Sequence, residues 1–140
     1  MDNQKLKIIV AEDEFLVAMD IKRKLEELGL DVTSLTTTAL ETITKAELDK
    51  PNIILMDVQL TGSLNGIEAA KIISYRSKVP IIFLIDDSEE KIFSQLNLNI
   101  NFELLLKPVS INSLSKALKN IIIKSDLFAN NLVQPPTFIF

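Results

Sequence analysis

The sequence predicts an α/β fold, a doubly wound five-stranded parallel sheet with helices on both faces. Three observations predict it. The chain is punctuated by short apolar runs that are continuous rather than alternating, as strands buried on both faces require. Segments with helical spacing lie between the runs, so β and α units alternate and imply right-handed crossovers. Several runs also end in ionisable residues, at the edge where open parallel sheets collect their ligands.

The first strand is Leu6 to Ala11. Val17, Ile21, Leu25 and Leu28 then step by four, four and three, a helix whose wet side holds Lys22, Lys24, Glu26 and Glu27. Gly29 follows where a helix C-terminus favours a residue able to take positive φ. Leu30 to Leu35 is half polar and fits an edge strand. Ala39, Ile43 and Ala46 mark a second helix that ends before Pro51. The run Ile53 to Met56 is the central strand, and Ile67, Ala70 and Ile73 mark the third helix. Ile81 to Ile85 is the fourth strand. A short fourth helix follows, carried by Ile92 and Leu96 behind an expected N-cap at Ser88. Leu104 to Leu106 is the last buried run, and Ile111, Leu114, Leu118 and Ile121 form a final helix capped by Ser110. Residues 125–140, with Asn130-Asn131, Pro135-Pro136 and a terminal Phe138-Ile139-Phe140, break the pattern and are expected to be a tail or linker stub.

Composition narrows the chemistry. The 140 residues suit one domain with a real core. With no cysteine and no histidine, disulfides, thiol nucleophiles, Cys/His zinc sites, imidazole triads and a phosphohistidine on this chain are all excluded. Charged residues make up 24% and are well mixed, which argues against disorder. A net charge of -4 argues against direct nucleic-acid binding, which rests on clustered Lys and Arg. No apolar run approaches the roughly 20 residues needed to span a bilayer, and the start lacks a signal-peptide core. A cytoplasmic protein without membrane contact is expected.

The strand ends carry the functional signal. The first run leads into Glu12-Asp13, the second ends in Asp57, the fourth strand is followed by Asp86, and the last run ends in Lys107. Carboxylates at close quarters repel one another unless a cation compensates. With only oxygen ligands to hand that cation should be hard, and Mg²⁺ fits best, since it takes one or two carboxylates, keeps waters and shares a phosphate. Lys107 can then act as a point charge for an anionic group, and Asp57 as a carboxylate nucleophile toward phosphorus.

Ile8 to Glu14 (IIVAEDE), Ile54 to Asp57 (ILMD), Asn65 to Glu68 (NGIE) and Lys107-Pro108 together resemble the receiver domain of two-component response regulators, over roughly residues 5 to 124. The resemblance implies a flavodoxin-like sheet in the order 2-1-3-4-5, with a receiver domain over 1–124. It implies that a sensor histidine kinase donates a phosphoryl group to Asp57. It makes Glu12 and Asp13 the acidic pair of a Mg²⁺ site, with Asp13, Asp57 and the backbone carbonyl of Gln59 as the direct ligands, Lys107 as the phosphoryl contact, and Lys107-Pro108 a cis peptide. The stretch MDVQLTGSLNGIEAA most resembles receivers found with sensory and kinase modules, whose loop after the acceptor is one residue longer. In the family the fourth helix, fifth strand and fifth helix often form a dimer or partner face, so a homodimer through that face is one expectation.

The switch positions depart from the family. Ile85 stands where Thr or Ser usually bonds the phosphoryl oxygen, Asp86 where a small residue follows, and Leu104 where an aromatic switch residue stands. Ile85 offers no hydrogen bond and Asp86 brings negative charge, so phosphorylation is expected with a weakened or rewired readout. Ser88 is the candidate replacement hydroxyl, if the loop turns inward.

The leading expectation is a phosphoacceptor module that changes partner affinity and is not an enzyme, apart from slow self-dephosphorylation. With about 16 residues after the last helix, it is expected to be a stand-alone receiver or one cut from a longer sensor or regulator. The alternative is a pseudo-receiver that binds partners independently of phosphorylation. A phosphatase of the DxDxT type is disfavoured, because Gln59 stands where the second carboxylate is needed. Phe83, Phe93 and Met56 are expected to be packing residues, Lys22-Arg23-Lys24 a solvated helix face, and Tyr75 half-buried.

Overall fold

A computed structural model describes residues 5–125. Five strands, β1 (Lys7–Ala11), β2 (Asp31–Thr36), β3 (Ile53–Asp57), β4 (Ile81–Ile85) and β5 (Phe102–Leu106), alternate with five helices. These are α1 (Phe15–Glu27), α2 (Ala39–Asp49), α3 (Gly66–Ser77), α4 (Glu90–Gln95) and α5 (Ile111–Lys124), with a 3-10 turn at Asp87–Glu89 before α4. The strands pair in parallel in the order β2-β1-β3-β4-β5. This is the flavodoxin-like arrangement that the resemblance implied. The expected tail lies outside the described residues except for Ser125, which caps α5.

Strand alternation divides the core in two. Ile8, Val10, Leu55, Ile82, Leu84 and Leu105 face α1 and α5, while Ile9, Ile54, Met56, Ile81, Phe83 and Ile85 face α2, α3 and α4. β1, β3 and β4 are buried on both faces apart from Lys7, which explains their unbroken apolar sequence. β5 is an edge strand, only part-buried and with Leu106 exposed, so the run Leu104–Leu106 is not the doubly buried strand its sequence suggested. β2, at the other edge, matches its half-polar sequence.

Local signals set the helix ends. Gly29 takes φ 93° just after α1, and Lys50 closes α2 in the left-handed region before Pro51. Ser110 caps α5 through a reciprocal pair with Ser113. The fourth helix differs from expectation. Asp86 caps the 3-10 turn before it, its carboxylate accepting from the Glu89 N–H while Glu89 accepts from the Asp86 N–H; α4 itself has no side-chain cap, and Ser88 only donates to Asp86. Ile92 points to solvent and Phe93 is the buried residue of α4. Phe93 packs against Phe83 and Phe102 with tilted rings at centroid distances of 5.0 and 5.8 Å, closing the core beneath that short helix.

Two surface expectations are also corrected. Tyr75 is 91% exposed, not half-buried. Lys24 is not simply solvated, because its ammonium donates to the Val109 carbonyl at 2.7 Å and to Asp20 at 2.6 Å, tying α1 to the start of α5. Lys22 and Arg23 do form the charged face expected, with Glu26, Asp20 and Glu27.

The segment Asn65–Glu68 brings α3 onto the end of β3. Asn65 and Glu68 make a capping box, each side chain accepting from the other's backbone N–H at 2.9 Å. Gly66, the next residue, donates to Val58 O, and a Cβ there would overlap the Asp57 carbonyl oxygen and lie 3.0 Å from both its carbonyl carbon and Met56 Cγ. Ala gains about 1 kcal/mol over Gly in helix propensity, but over-packing a site against backbone costs about 3 kcal/mol. Gly66→Ala is therefore expected to destabilise the fold by about 2 kcal/mol in urea unfolding; an unchanged or stabilised variant would contradict the close approach.

Candidate functional site

Three strands deliver charged side chains to one edge of the sheet. Glu12 and Asp13 follow β1, Asp57 ends β3 and Lys107 follows β5. Glu12 and Asp57 are buried, and Asp13 is half-buried. One carboxylate oxygen from each of the three lies within 4.8 Å of the others. Lys107 Nζ is 2.6 Å from Asp57 Oδ2 and 3.3 Å from Glu12 Oε1. The second oxygen of Asp57 accepts from the Gln59 N–H at 2.8 Å, and that of Glu12 from the Glu14 N–H at 3.2 Å. The Lys107–Pro108 peptide is cis.

The charges are under-compensated. Three carboxylates against one ammonium leave a formal deficit equal to the charge of one divalent cation. Burial, joined by the charge of Asp57, pushes the Glu12 carboxyl up to about 7, against the Glu14 N–H and Lys107, which favour its charged form. For Lys107, burial works to lower the pKa, but the hydrogen bond and charge of Asp57, with the charge of Glu12, outweigh it and raise the value. Glu12 Oε1 is buried without a hydrogen-bond partner despite its closeness to Lys107. A buried, orphaned carboxylate oxygen beside two further carboxylates is what a hard cation would satisfy, so the residues present fit a metal ion bound by oxygen.

Of the residues singled out in the sequence, Glu12, Asp13, Asp57, Gln59 and Lys107 come together. Ile85 is fully buried among the apolar residues facing α2, α3 and α4 and presents nothing to the site. Asp86 is exposed and spends its carboxylate on the turn, where the Ser88 hydroxyl foremost holds its pKa low. Ser88, bonded to Asp86, does not turn inward to replace the missing hydroxyl. Leu104 is half-buried, and the aromatic on its side of β5 is Phe102.

Glu89 was not anticipated. Its carboxylate is buried, accepts from Gln59 Nε2 at 2.7 Å and links the loop after β3 to the turn before α4. The sequence signal was present in Asp86 and Glu89 at capping-box spacing.

Comparison with known proteins agrees with this geometry. The profile of the response regulator receiver domain matches residues 8–119. The chain is 31% identical over 113 residues to the transcriptional regulatory protein PdtaR of Mycobacterium tuberculosis, an alignment covering 81% of this chain and 55% of that protein. It is 36% identical over 78 residues to the phyllosphere-induced regulator PhyR of Methylorubrum extorquens, covering 55% of this chain and 29% of the regulator. Among solved structures, the signal receiver domain of a modulated diguanylate cyclase from Desulfovibrio desulfuricans superposes with a TM-score of 0.78 at 29% identity, covering 89% of this chain and 98% of that one. The chain thus spans about half or less of the curated regulators it matches.

The raised Glu12 pKa sets a pH dependence for the metal-free protein. Below about pH 4.5 the carboxyl is protonated in both folded and unfolded chains, and its favourable contribution is fully present. As pH rises through about 7 that contribution is lost, because the folded state must then bury the charged form. The gap corresponds to about 3 kcal/mol. Glu12→Gln, unfolded by urea in chelator, is expected to lose this pH slope and to exceed wild type by about 2 kcal/mol at pH 8. Equal slopes for the two proteins would contradict the assignment.

Proposed function

The chain belongs to the response regulator receiver domain family, and from that premise we propose that it accepts a phosphoryl group on Asp57 from a partner histidine kinase in a Mg²⁺-dependent reaction. The observation that carries the reading is the 2.6 Å contact of Lys107 with Asp57 Oδ2, inside a cluster that includes Glu12 and Asp13. Asp57 is the nucleophile. One of its carboxylate oxygens attacks phosphorus, the P–N bond to the partner's imidazole breaks, and its electron pair stays with the imidazole nitrogen. The product is an acyl phosphate on Asp57.

The chain's own groups prepare that step. The Gln59 N–H holds one oxygen of Asp57 and Lys107 the other, so the carboxylate has a fixed orientation before the donor arrives. Lys107, already charged and anchored at the end of β5, is placed to accept the negative charge that the phosphoryl group brings. Asp13, Asp57 and the backbone carbonyl of Gln59 would hold Mg²⁺, with Glu12 beside them. When bound, the ion neutralises carboxylate and phosphoryl charge that Lys107 alone does not balance. Burial of Glu12 and Asp57 keeps these interactions strong by excluding water.

The module works by changing partner affinity and not by turnover of a metabolite, and slow loss of phosphate resets it. The downstream contact is assigned to the face made by α4, β5 and α5, where Ile92 and Leu106 are exposed. A second copy of the chain is the occupant expected from the family.

Intact mass after incubation with acetyl phosphate tests the reading. A Mg²⁺-dependent, base-labile gain of one phosphate is expected for wild type and none for Asp57→Asn. Lys107→Ala is expected to slow uptake about a hundredfold, the scale of removing one preorganised charge donor. Wild type that takes no phosphate from any donor would point to a module that works without phosphorylation.

A further inference from the structure

The end of β4 poses a problem for a phosphoacceptor, since Ile85 is buried in the core and Ser88 is engaged elsewhere. No hydroxyl there connects the state of Asp57 to the helix that follows. A different connection is present. Gln59 touches Asp57 with its backbone N–H, donating 2.8 Å to Oδ1, and touches Glu89 with its side chain, donating 2.7 Å from Nε2 to Oε2. The other oxygen of Glu89 accepts the Asp86 N–H at 2.9 Å, the first backbone donor after β4. One residue therefore bridges the acceptor carboxylate and the turn that launches α4.

Glu89 is an unusual residue to find in that bridge. It is 8% exposed, yet it belongs to a surface turn whose other members, Asp86, Asp87 and Ser88, are all exposed. Burying a carboxylate is costly unless it is hydrogen-bonded, and both of its oxygens are. The amide of Gln59 and the N–H of Asp86 are thus what keep the turn folded inward. Capping alone does not require this arrangement. Asp86 satisfies the Glu89 N–H by itself, and Gln59 contributes nothing to the cap.

We propose that Glu89 is the positioning residue that transmits the state of Asp57 to the turn and α4, through its hydrogen bond with Gln59. The inference rests on Asp57 being the phosphoacceptor. Phosphorylation places phosphorus on one of the two Asp57 oxygens that Gln59 and Lys107 hold and adds one negative charge, so the acceptor facing the Gln59 N–H changes and that N–H is drawn toward the phosphoryl oxygens. The Gln59 side chain moves with its backbone. The bond to Glu89 is then strained or lost, and the buried carboxylate either follows or leaves for solvent, taking the start of α4 with it. The output is a rearranged 86–95 segment rather than a rotated aromatic side chain on β5, consistent with Leu104 at that place.

Amide hydrogen exchange over residues 86–95, measured with Mg²⁺ before and after acetyl phosphate, tests this in wild type, Glu89→Ala and Asp86→Ala. Wild type is expected to change exchange in this segment by about fivefold or more on phosphorylation, the low end of ordinary coupling between sites. Glu89→Ala is expected to take up phosphate on Asp57, by intact mass, yet to show no phosphorylation-dependent change in the segment. Asp86→Ala removes the cap but keeps the Gln59–Glu89 bond, so its segment exchanges faster in both states and still responds. A wild-type response retained in Glu89→Ala, or lost equally in Asp86→Ala, would overturn the inference while leaving the phosphoacceptor reading intact. So would a phosphorylated wild type whose segment does not respond. Wild type that takes no phosphate overturns both.

Discussion

Three carboxylates held within 4.8 Å of one another, with one lysine between two of them, are the constraint from which the rest of this structure follows. Such a cluster is unfavourable on its own, and a marginally stable domain tolerates it only where the scaffold overdetermines it. The parallel sheet does so. β1, β3 and β5 all run toward the same edge, so residues far apart in sequence meet there. The absence of a side chain at Gly66 lets α3 start directly against the backbone of Asp57, and the Asn65–Glu68 box fixes where that start is. The cost falls on Glu12, whose carboxyl is pushed up to about 7 first by burial and further by the charge of Asp57.

The loops above the cluster are organised by the same charges. Asp57 holds the Gln59 backbone, Gln59 holds Glu89, and Glu89 holds Asp86, so the loops after β3 and β4 form one hydrogen-bonded layer over the site. Beneath that layer Ile85 has joined the hydrophobic core with Phe83 and Phe93, which is why it has nothing to offer the acceptor. The core gains packing at a position where polar contact with the site has been given up. A separate tie, from Lys24 to the Val109 carbonyl, fixes the segment after Lys107 to α1 and so steadies the lysine from the other side.

The fold and the primary residues of the site were legible because both are written in strong local signals. Continuous apolar runs mark β1, β3 and β4, and charged residues at their ends mark the edge where they are used. What the sequence leaves hidden depends on partners that are remote along the chain. Glu89 looks like one more acidic residue on a short helix, and only a glutamine 30 positions away gives it a buried role. Lys24 reads as part of a basic surface run, because the carbonyl that takes it inward is 85 positions away. In α4 two apolar residues stand side by side, and periodicity over so short a helix could not decide that Phe93 goes in and Ile92 out. The exposure of Tyr75 is illegible for a related reason, since a large aromatic near a helix end says nothing about whether a neighbour is there to cover it.

Three carboxylates against one ammonium leave this cluster two negative charges short of balance, which a divalent cation would supply. Thermal unfolding at pH 8 with increasing Mg²⁺, for wild type and Asp13→Asn at constant ionic strength, tests it most directly. Wild type is expected to gain stability with the logarithm of Mg²⁺ concentration, by about 2.7 kcal/mol at a hundredfold excess over Kd, while Asp13→Asn gains little. Equal gains in both proteins, or none in wild type, would contradict it.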